Sequence, residues 1–294
     1  MNAGLSPRIT KSAPATAWIA AGVCLFAVPA FGHHLEKHFT VDGHTVVTIH
    51  NPNGTITIHS WNKPEVMVTA DHDSERVEVD ATQMGNRIDL VTHTLTNSVS
   101  PDEFHADYKI SVPQDAELQI HDDSGIVDVN QVFGNMAVET VGANVTLADA
   151  AGYVTVKTVG GSFQCSRCAG PVQVNSISGS VKLVQMRSYN IRAFTSNGDI
   201  LLDGEFLPNG VYSLKNYSGT IDVRFSPGDS FDLNAQSVHG KLNSQADLKP
   251  HDHDHPQNNQ QPRFGTSLLG TYNLGRAKVD VKSFDGTINI LKRD

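Results

Sequence analysis

The chain has 294 residues and carries 31 acidic against 22 basic side chains, a formal net charge of −9. An acidic chain with no basic block is not expected to use nucleic acid or anionic lipid as a main partner. Only 7% of the residues are aromatic, so we expect a core of small branched side chains rather than large rings.

The N-terminal segment has the order of a secretory signal peptide. The basic residues Arg8 and Lys11 precede an apolar run that ends at Val28-Pro29-Ala30, where small or apolar residues suit signal peptidase. We expect residues 1–30 to be the signal peptide, with cleavage after Ala30 or Gly32. An uncleaved membrane anchor is the alternative. The mature protein is therefore expected in the periplasm or outside the cell, without a membrane span.

Residues 33–112 carry period-two runs of Val, Ile, Leu and Thr, which are typical of half-buried strands. These runs, such as 45–49 and 108–112, are less regular than those that follow, and Pro113 marks a boundary. We expect this region to be an N-terminal β cap over the open end of a strand repeat.

From residue 113 onward, a short strand follows one glycine after another, and we treat 113–294 as the repeat domain. Small aliphatic residues such as Val181 and Leu183 alternate with polar ones such as Lys182. The spacing predicts an all-β β-solenoid, with about two units in a rung and glycine at the corners. An antiparallel β-sandwich is the alternative. The leading glycines stand eight to ten residues apart, at Gly125, Gly134, Gly142, Gly152, Gly161, Gly170 and Gly179.

A polar insert interrupts the repeat at about 245–273, and we expect it to be a disordered surface loop. Imidazole and carboxylate groups alternate in it, and such groups can bind Zn²⁺, Cu²⁺ or Ni²⁺. The candidate metal ligands are therefore His251, His253 and His255. The alternative is a solvated loop that binds divalent ions only weakly. No other cofactor is predicted.

Other histidines have a different interpretation. If cleavage follows Ala30, the mature chain begins Phe31-Gly32-His33, and its free amine, two amides and imidazole can hold Cu²⁺ in a square plane. Histidines on or beside the predicted strands are expected to be outward polar residues rather than ligands. They are His50, His59, His93, His105 and His121.

Two cysteines, Cys165 and Cys168, remain after the predicted signal peptide is removed. In an oxidising compartment a nearby pair usually forms a disulfide. Free thiols, or a catalytic or metal-binding role, are the alternatives. Because the closed loop is very short, we expect any stabilisation to be local.

Carboxylates at the corners raise the question of catalysis. Asp122, Asp123 and Asp128 could serve a polysaccharide-cleaving β-helix enzyme, which needs acids gathered on one face. Aspartate also suits turn geometry, and the sequence lacks a nucleophile elbow, a phosphate loop and a dinucleotide fingerprint. We therefore predict a protein that is not an enzyme and has no catalytic residues.

Three stretches resemble a bacterial cell-envelope family of β-strand repeats, known as the "putative adhesin" family and catalogued as a domain of unknown function. The resemblance covers nearly all of the mature chain and implies a β-solenoid-like envelope protein with no assigned catalytic residues. The stretches contain Asn53-Gly54-Thr55-Ile56-Thr57-Ile58, Asp123-Ser124-Gly125-Ile126-Val127-Asp128-Val129 and Phe284-Asp285-Gly286-Thr287-Ile288-Asn289-Ile290.

The expected function is therefore an adhesin or envelope scaffold. Rows of Ser, Thr, Asn and Gln on the outer strand faces would bind an envelope glycan or protein surface. A periplasmic metal-binding protein that uses the histidine-rich loop is the first alternative, and a polysaccharide-active enzyme is the second.

Overall fold

The computed structural model describes Met1 and residues 33–96, 104–250 and 265–293. The chain divides into two units, Met1–Phe31 and Gly32–Asp294, and all described residues except Met1 lie in the second. Strands are the regular elements of the described ranges, and they join in one 22-stranded sheet. In these ranges no helix is long and apolar enough to cross a membrane.

The strands follow the predicted period-two runs closely. In chain order they are β1 His33–Thr40, β2 Val46–Trp61, β3 Glu65–His72, β4 Val77–Met84, β5 Arg87–Thr94, β6 Asp107–Pro113, β7 Glu117–Asn130, β8 Met136–Thr140, β9 Asn144–Ala148, β10 Val154–Thr158, β11 Phe163–Ser166, β12 Val172–Ser176, β13 Val181–Met186, β14 Asn190–Asn197, β15 Ile200–Gly204, β16 Val211–Ser218, β17 Thr220–Phe225, β18 Phe231–Ser237, β19 Leu242–Ser244, β20 Thr266–Tyr272, β21 Ala277–Ser283 and β22 Thr287–Lys292.

The chain coils with two strands in each rung. On one side, face A, strands β8, β10, β12, β14 and β16 stack in parallel; on the other side, face B, β9, β11, β13, β15 and β17 do the same. Met136, Val154 and Val172 are register partners in successive rungs, so one rung spans 18 residues there. The predicted β-solenoid is confirmed.

The two faces enclose one core made of the inward residues of every strand. Val154, Val156, Val172 and Val174 are at most 2% exposed, and they show the small branched lining that the composition predicts. Large rings gather in the last rungs instead. Phe206, Tyr212, Phe225, Phe231 and Tyr272 pack there with ring centroids 4.9–5.7 Å apart.

Glycine serves the corners in two ways. Gly125 and Gly152 have φ of +125° and +116°, as the sequence interpretation requires. Gly161 and Gly179 do not have positive φ, and their role is spatial. A Cβ atom at Gly179 would overlap the carbonyl oxygen of Gly161 in the rung below, and one at Gly161 would overlap that of Ala143. Close stacking of the rungs therefore excludes a side chain at these two positions, Gly161 and Gly179.

The N-terminal strands close one end of the coil. β2 contributes to both faces: its first half pairs in parallel with β5, and its second half pairs in parallel with β6. Beyond them, β4 is antiparallel to β5, β3 to β6 and β1 to β3. β2 also pairs with β7 along 13 register positions, so the sheet runs on across residue 113. The predicted domain boundary at that residue stays a prediction.

The other end departs from chain order. β21 lies between β16 and β18, and β22 lies between β17 and β19. The last rung of the chain is therefore the penultimate rung in space. β20 then covers β18 as an antiparallel strand.

The predicted disordered insert at 245–273 includes strand β20, so the prediction of disorder is wrong for residues 266–272. Thr266–Tyr272 form this strand because Leu268 and Tyr272 pack against the core, and the Tyr272 ring stacks on Phe231 at 5.2 Å. The sequence pattern does not reveal this strand, because the residues next to it in sequence are polar.

Candidate binding surfaces

A column of polar side chains runs inside the corner that follows each strand of face A. Ser176 is 3% exposed, and its hydroxyl accepts a hydrogen bond from the Gly179 N–H at 2.8 Å; Thr158 accepts one from Gly161 at 3.1 Å. These bonds pair backbone groups that the corner would otherwise leave unsatisfied. The members of this corner column are Asn51, Asp122, Thr140, Thr158, Ser176, Thr195, Asn216, Ser283 and Ser237.

Asp122 is the one carboxylic acid in the corner column. It is 1% exposed, and neither of its carboxyl oxygens has a hydrogen-bond partner among the residues that the structure describes. Burial, with a further contribution from the charge of Asp123, raises the pKa of Asp122 to about 7. In the folded chain the protonated acid therefore predominates below about pH 7, whereas an ordinary carboxyl group is ionised there.

The residue after each column member is at least partly exposed, and in five rungs it is an exposed apolar side chain. We call these residues the apolar stripe. Its members are Val141, Val159, Ile177, Tyr217 and Phe284, which are 39–53% exposed. The Tyr217 and Phe284 rings stack with centroids 4.7 Å apart. This surface is not among the sequence predictions, although an apolar residue between a hydroxyl and a glycine is visible in several units.

Polar columns cover the outer strand faces. On face B the side-chain amide of Asn243 donates to Asn289 at 2.8 Å, and that of Asn289 donates to Asp222 at 2.8 Å. On face A Lys157 donates to Glu139 at 2.7 Å, and this hydrogen bond lowers the pKa of the Glu139 carboxyl. Neighbouring rungs are about 4.8 Å apart, so each column repeats its polar groups at that interval.

Strands β1 and β3 present histidines beside carboxylates. The Nδ1 atom of His34 lies 2.6 Å from an Asp71 oxygen, and His38 is hydrogen-bonded to Glu65 and Glu36. These contacts raise the pKa of both imidazoles. No group of three or more His, Cys, Asp or Glu side chains in the described ranges has the arrangement of a metal site.

An open cleft lies at the N-terminal end, where β2 and β6 finish side by side. We call it the Trp61 cleft; its volume is about 340 Å³. Trp61 and Pro113 are register partners at its base. The Trp61 indole donates to the Glu65 carbonyl oxygen at 2.7 Å, and Lys63 Nζ lies 4.4 Å from the indole centroid. Exposed side chains surround the ring, namely Asn62, Lys63, Gln114 and Asp115.

The predicted metal ligands His251, His253 and His255 lie outside the described residues, so the metal hypothesis stays a prediction. Calorimetric titration with Zn²⁺, Cu²⁺ and Ni²⁺ tests it, with a variant that lacks residues 250–262 as the control. The hypothesis predicts binding that the deletion abolishes; equal, weak binding by both proteins would remove it. The proposed Cu²⁺ site at His33 also needs residues outside the described ranges, and the His33 ring stacks on His72 at 4.9 Å.

The other predicted site residues are separated in the fold. Cys165 and Cys168 lie in and just after β11, fully buried, and their sulfur atoms are bonded. Asp122 is directed into the corner, Asp123 is exposed at the corner, and Asp128 is partly exposed on the outer side of face B. Asp122 and Asp128 therefore do not face a common groove.

The five strand histidines all lie at exposed or partly exposed positions. His50 and His121 stack on each other with ring centroids 4.6 Å apart, and His59 is hydrogen-bonded to the Ser111 hydroxyl at 2.9 Å. His93 lies 3.5 Å from Glu78, and His105 lies 3.2 Å from Asp107.

Comparison with known proteins places the solenoid in a family. The Toastrack DUF4097 family matches residues 44–291, which is most of the chain, so the chain belongs to this family, a domain of unknown function. No curated protein matches the sequence.

Three solved bacterial structures with some likeness each share 10% sequence identity with this chain. A "putative adhesin" from Bacteroides fragilis covers 88% of this chain and 97% of its own, with a TM-score of 0.47. A "putative cell adhesion protein" from Clostridium sporogenes covers 89% and 100%, with a TM-score of 0.25. A "putative adhesin" from Parabacteroides merdae covers 66% and 88%, with a TM-score of 0.26.

Proposed function

We propose that the protein is a non-enzymatic binding module of the cell envelope, exported by its signal peptide and acting as an adhesin or scaffold. The observation that carries the proposal is the set of outward polar columns, in which amide, hydroxyl and charged groups recur once per rung. The Asn243–Asn289–Asp222 ladder is the clearest example.

The frame behind these columns is rigid. In the middle rungs buried hydrogen bonds close the corners, as at Ser176 and Gly179 and at Thr158 and Gly161, and each strand is paired on both sides. Fixed spacing lets a repetitive partner, such as a polysaccharide, contact several rungs at once. Individually weak contacts then add up to useful affinity.

A binding screen tests the proposal. Full-length mature protein is applied to a glycan array and to envelope extracts, and bound partners are measured by surface plasmon resonance. The variant Asn289→Ala interrupts the face B ladder, and Asn175→Ala removes an outward asparagine of face A that makes no side-chain hydrogen bond with a described residue.

A partner of face B should lose affinity in Asn289→Ala and not in Asn175→Ala. A partner of face A should show the reverse. Protein that retains neither a glycan nor an envelope protein at micromolar concentration would contradict the proposed function.

Export is tested separately. After fractionation of cells that express the complete chain, mass spectrometry of the N-terminus should find a chain that begins at Phe31 or His33. A chain that keeps residues 1–30 would contradict the export step and favour the membrane anchor.

A further inference from the structure

We propose that the Trp61 cleft binds one sugar ring of a neutral glycan. The inference rests on the binding function proposed above and supplies it with a site and a ligand chemistry. It concerns the end of the coil rather than the strand faces, so the two can be tested apart.

The backbone around the cleft is held in place before any ligand binds. The Trp61 indole is oriented by its hydrogen bond to the Glu65 carbonyl oxygen, at 2.7 Å. The Val41 N–H donates to the Pro64 carbonyl oxygen at 3.1 Å, and the Ala116 N–H donates to that of Pro113 at 3.1 Å. A site fixed in this way loses little conformational entropy when a ligand enters.

The indole offers a flat apolar surface that solvent-side groups can reach. The Lys63 ammonium already lies over the ring, 4.4 Å from its centroid, in a cation–π contact. Lys63 is exposed and has no ion pair with a described residue, so it can move aside when the C–H face of a pyranose ring stacks on Trp61. Its three N–H groups are then available to ring hydroxyls.

The rim provides partners for hydroxyl groups. The side chains of Asn62, Gln114 and Asp115 are exposed and form no hydrogen bond with any other described residue. Amides both donate and accept hydrogen bonds, and the carboxylate accepts them, which matches the mixed donor and acceptor character of sugar hydroxyls. A volume of about 340 Å³ is small for a ligand pocket and suits one ring or two.

Other ligand classes fit less well. A purely apolar ligand would leave the amide and charged groups of the rim without partners as it displaced their water. A polyanion would meet Asp115 and a chain of net charge −9. A neutral, hydroxyl-rich ligand is the class that satisfies both the ring and the rim.

Tryptophan fluorescence gives a direct test, because the chain has two tryptophans, Trp18 and Trp61, and Trp18 lies in the predicted signal peptide. Mature protein, or full-length Trp18→Phe, therefore reports on Trp61 alone. The probes are the methyl glycosides of glucose, galactose, mannose and N-acetylglucosamine, followed by the corresponding oligosaccharides. The inference predicts a saturable change in Trp61 emission with at least one of them.

Two variants locate the binding. Gln114→Ala removes a rim amide at an exposed position and should weaken the affinity about tenfold without unfolding the protein. Tyr189→Ala removes an exposed aromatic residue, 56% accessible, outside the cleft and should leave the affinity unchanged. Trp61→Phe keeps a ring without the indole N–H, and binding to a glycan surface should be weaker than that of the parent chain.

The outcomes separate this inference from the proposed function. If the protein binds glycans or envelope proteins but Trp61 emission does not respond and Gln114→Ala binds as tightly as the parent, the cleft inference is wrong and the binding function stands. If no glycan binds, the cleft inference is wrong. If no envelope protein binds either, the proposed function fails as well.

Discussion

The middle rungs of the solenoid and its C-terminal rungs are stabilised in different ways. In the middle, Val154 stacks on Val172 and Gly161 on Gly179, so each rung repeats the one below it. At the C-terminal end, β21 and β22 enter between earlier strands, and large rings around Phe231 fill the core. Repetition is enough where a rung has similar neighbours on both sides. Where the repeat ends, bulky side chains and the antiparallel strand β20 close the coil instead.

The largest loss of stability is expected from Phe231→Ala, which removes a ring from the core of the C-terminal rungs. Phe231 is fully buried, and its ring contacts Phe206, Phe225 and Tyr272. Loss of this ring should lower the free energy of unfolding by about 3–5 kcal/mol. Hydrogen exchange should increase first in β18, β20 and β21. Equal acceleration in β10 and β12 would contradict the difference between the two regions.

Gly179→Val tests the close stacking of the middle rungs. The new side chain would overlap the carbonyl oxygen of Gly161, and the corner at Gly161 cannot move away easily because it joins two paired strands, β10 and β11. We expect a loss of about 3 kcal/mol in urea unfolding. Gly142→Ala is a control in another corner, one position earlier in the rung, because the nearest atom to its new Cβ, the Asp123 carbonyl oxygen, is 3.7 Å away. Comparable losses in both variants would contradict the close stacking.

Asp122→Asn tests the corner column where it carries an acid. Because the pKa of Asp122 is raised to about 7, the folded state binds a proton that the unfolded state releases at its ordinary carboxyl value near 4. The stabilisation from this proton is complete below that ordinary value and is lost as the pH rises through about 7. The amide variant should therefore be more stable than the parent at pH 8, by about 1–3 kcal/mol.

At about pH 4 the difference between Asp122→Asn and the parent should be much smaller, because Asp122 is then protonated in the folded state and about half protonated in the unfolded state. Urea unfolding at the two pH values measures this directly. Histidine pairs such as His34 with Asp71 also depend on pH, but they are the same in both proteins and cancel. A difference independent of pH would contradict the raised pKa.

Ser176→Ala gives the smallest of these effects. The substitution leaves the buried Gly179 N–H without its acceptor, and we expect a loss of about 1–2 kcal/mol. Ser180→Ala is the control, since its hydroxyl forms no hydrogen bond with a described residue. If the two variants unfold at the same urea concentration, the corner column does not stabilise the corners.

The sequence predicts the rung well because a rung is a local repeat. Leading glycines such as Gly161 and Gly179, with Val181 and Leu183 after the second, reveal both the corner and the inward face. The inward hydroxyl of the corner column is also in the pattern, as in Val172, Val174 and Ser176, but the prediction places serine and threonine on the outer strand faces.

The order of rungs at the C-terminal end could not be predicted in the same way. Strand patterns identify β18 and β21, but they do not say which of the two stacks on β16, since both present the same alternation. The Trp61 cleft could not be predicted from the sequence either, because it also depends on how strands stack. Trp61 and Gln114 are distant in sequence and line the same cleft only because β2 and β6 end side by side.

Paired cysteines provide the most direct test of the parallel, reordered coil. Lys215 and Lys282 are outward register partners on β16 and β21, so Lys215→Cys with Lys282→Cys should form a disulfide that peptide mass spectrometry detects. Gln236 on β18 is the register partner of Lys282 and lies one rung further away, so Lys215→Cys with Gln236→Cys should remain unlinked. Linkage of the second pair without the first would show rungs stacked in chain order and contradict the account.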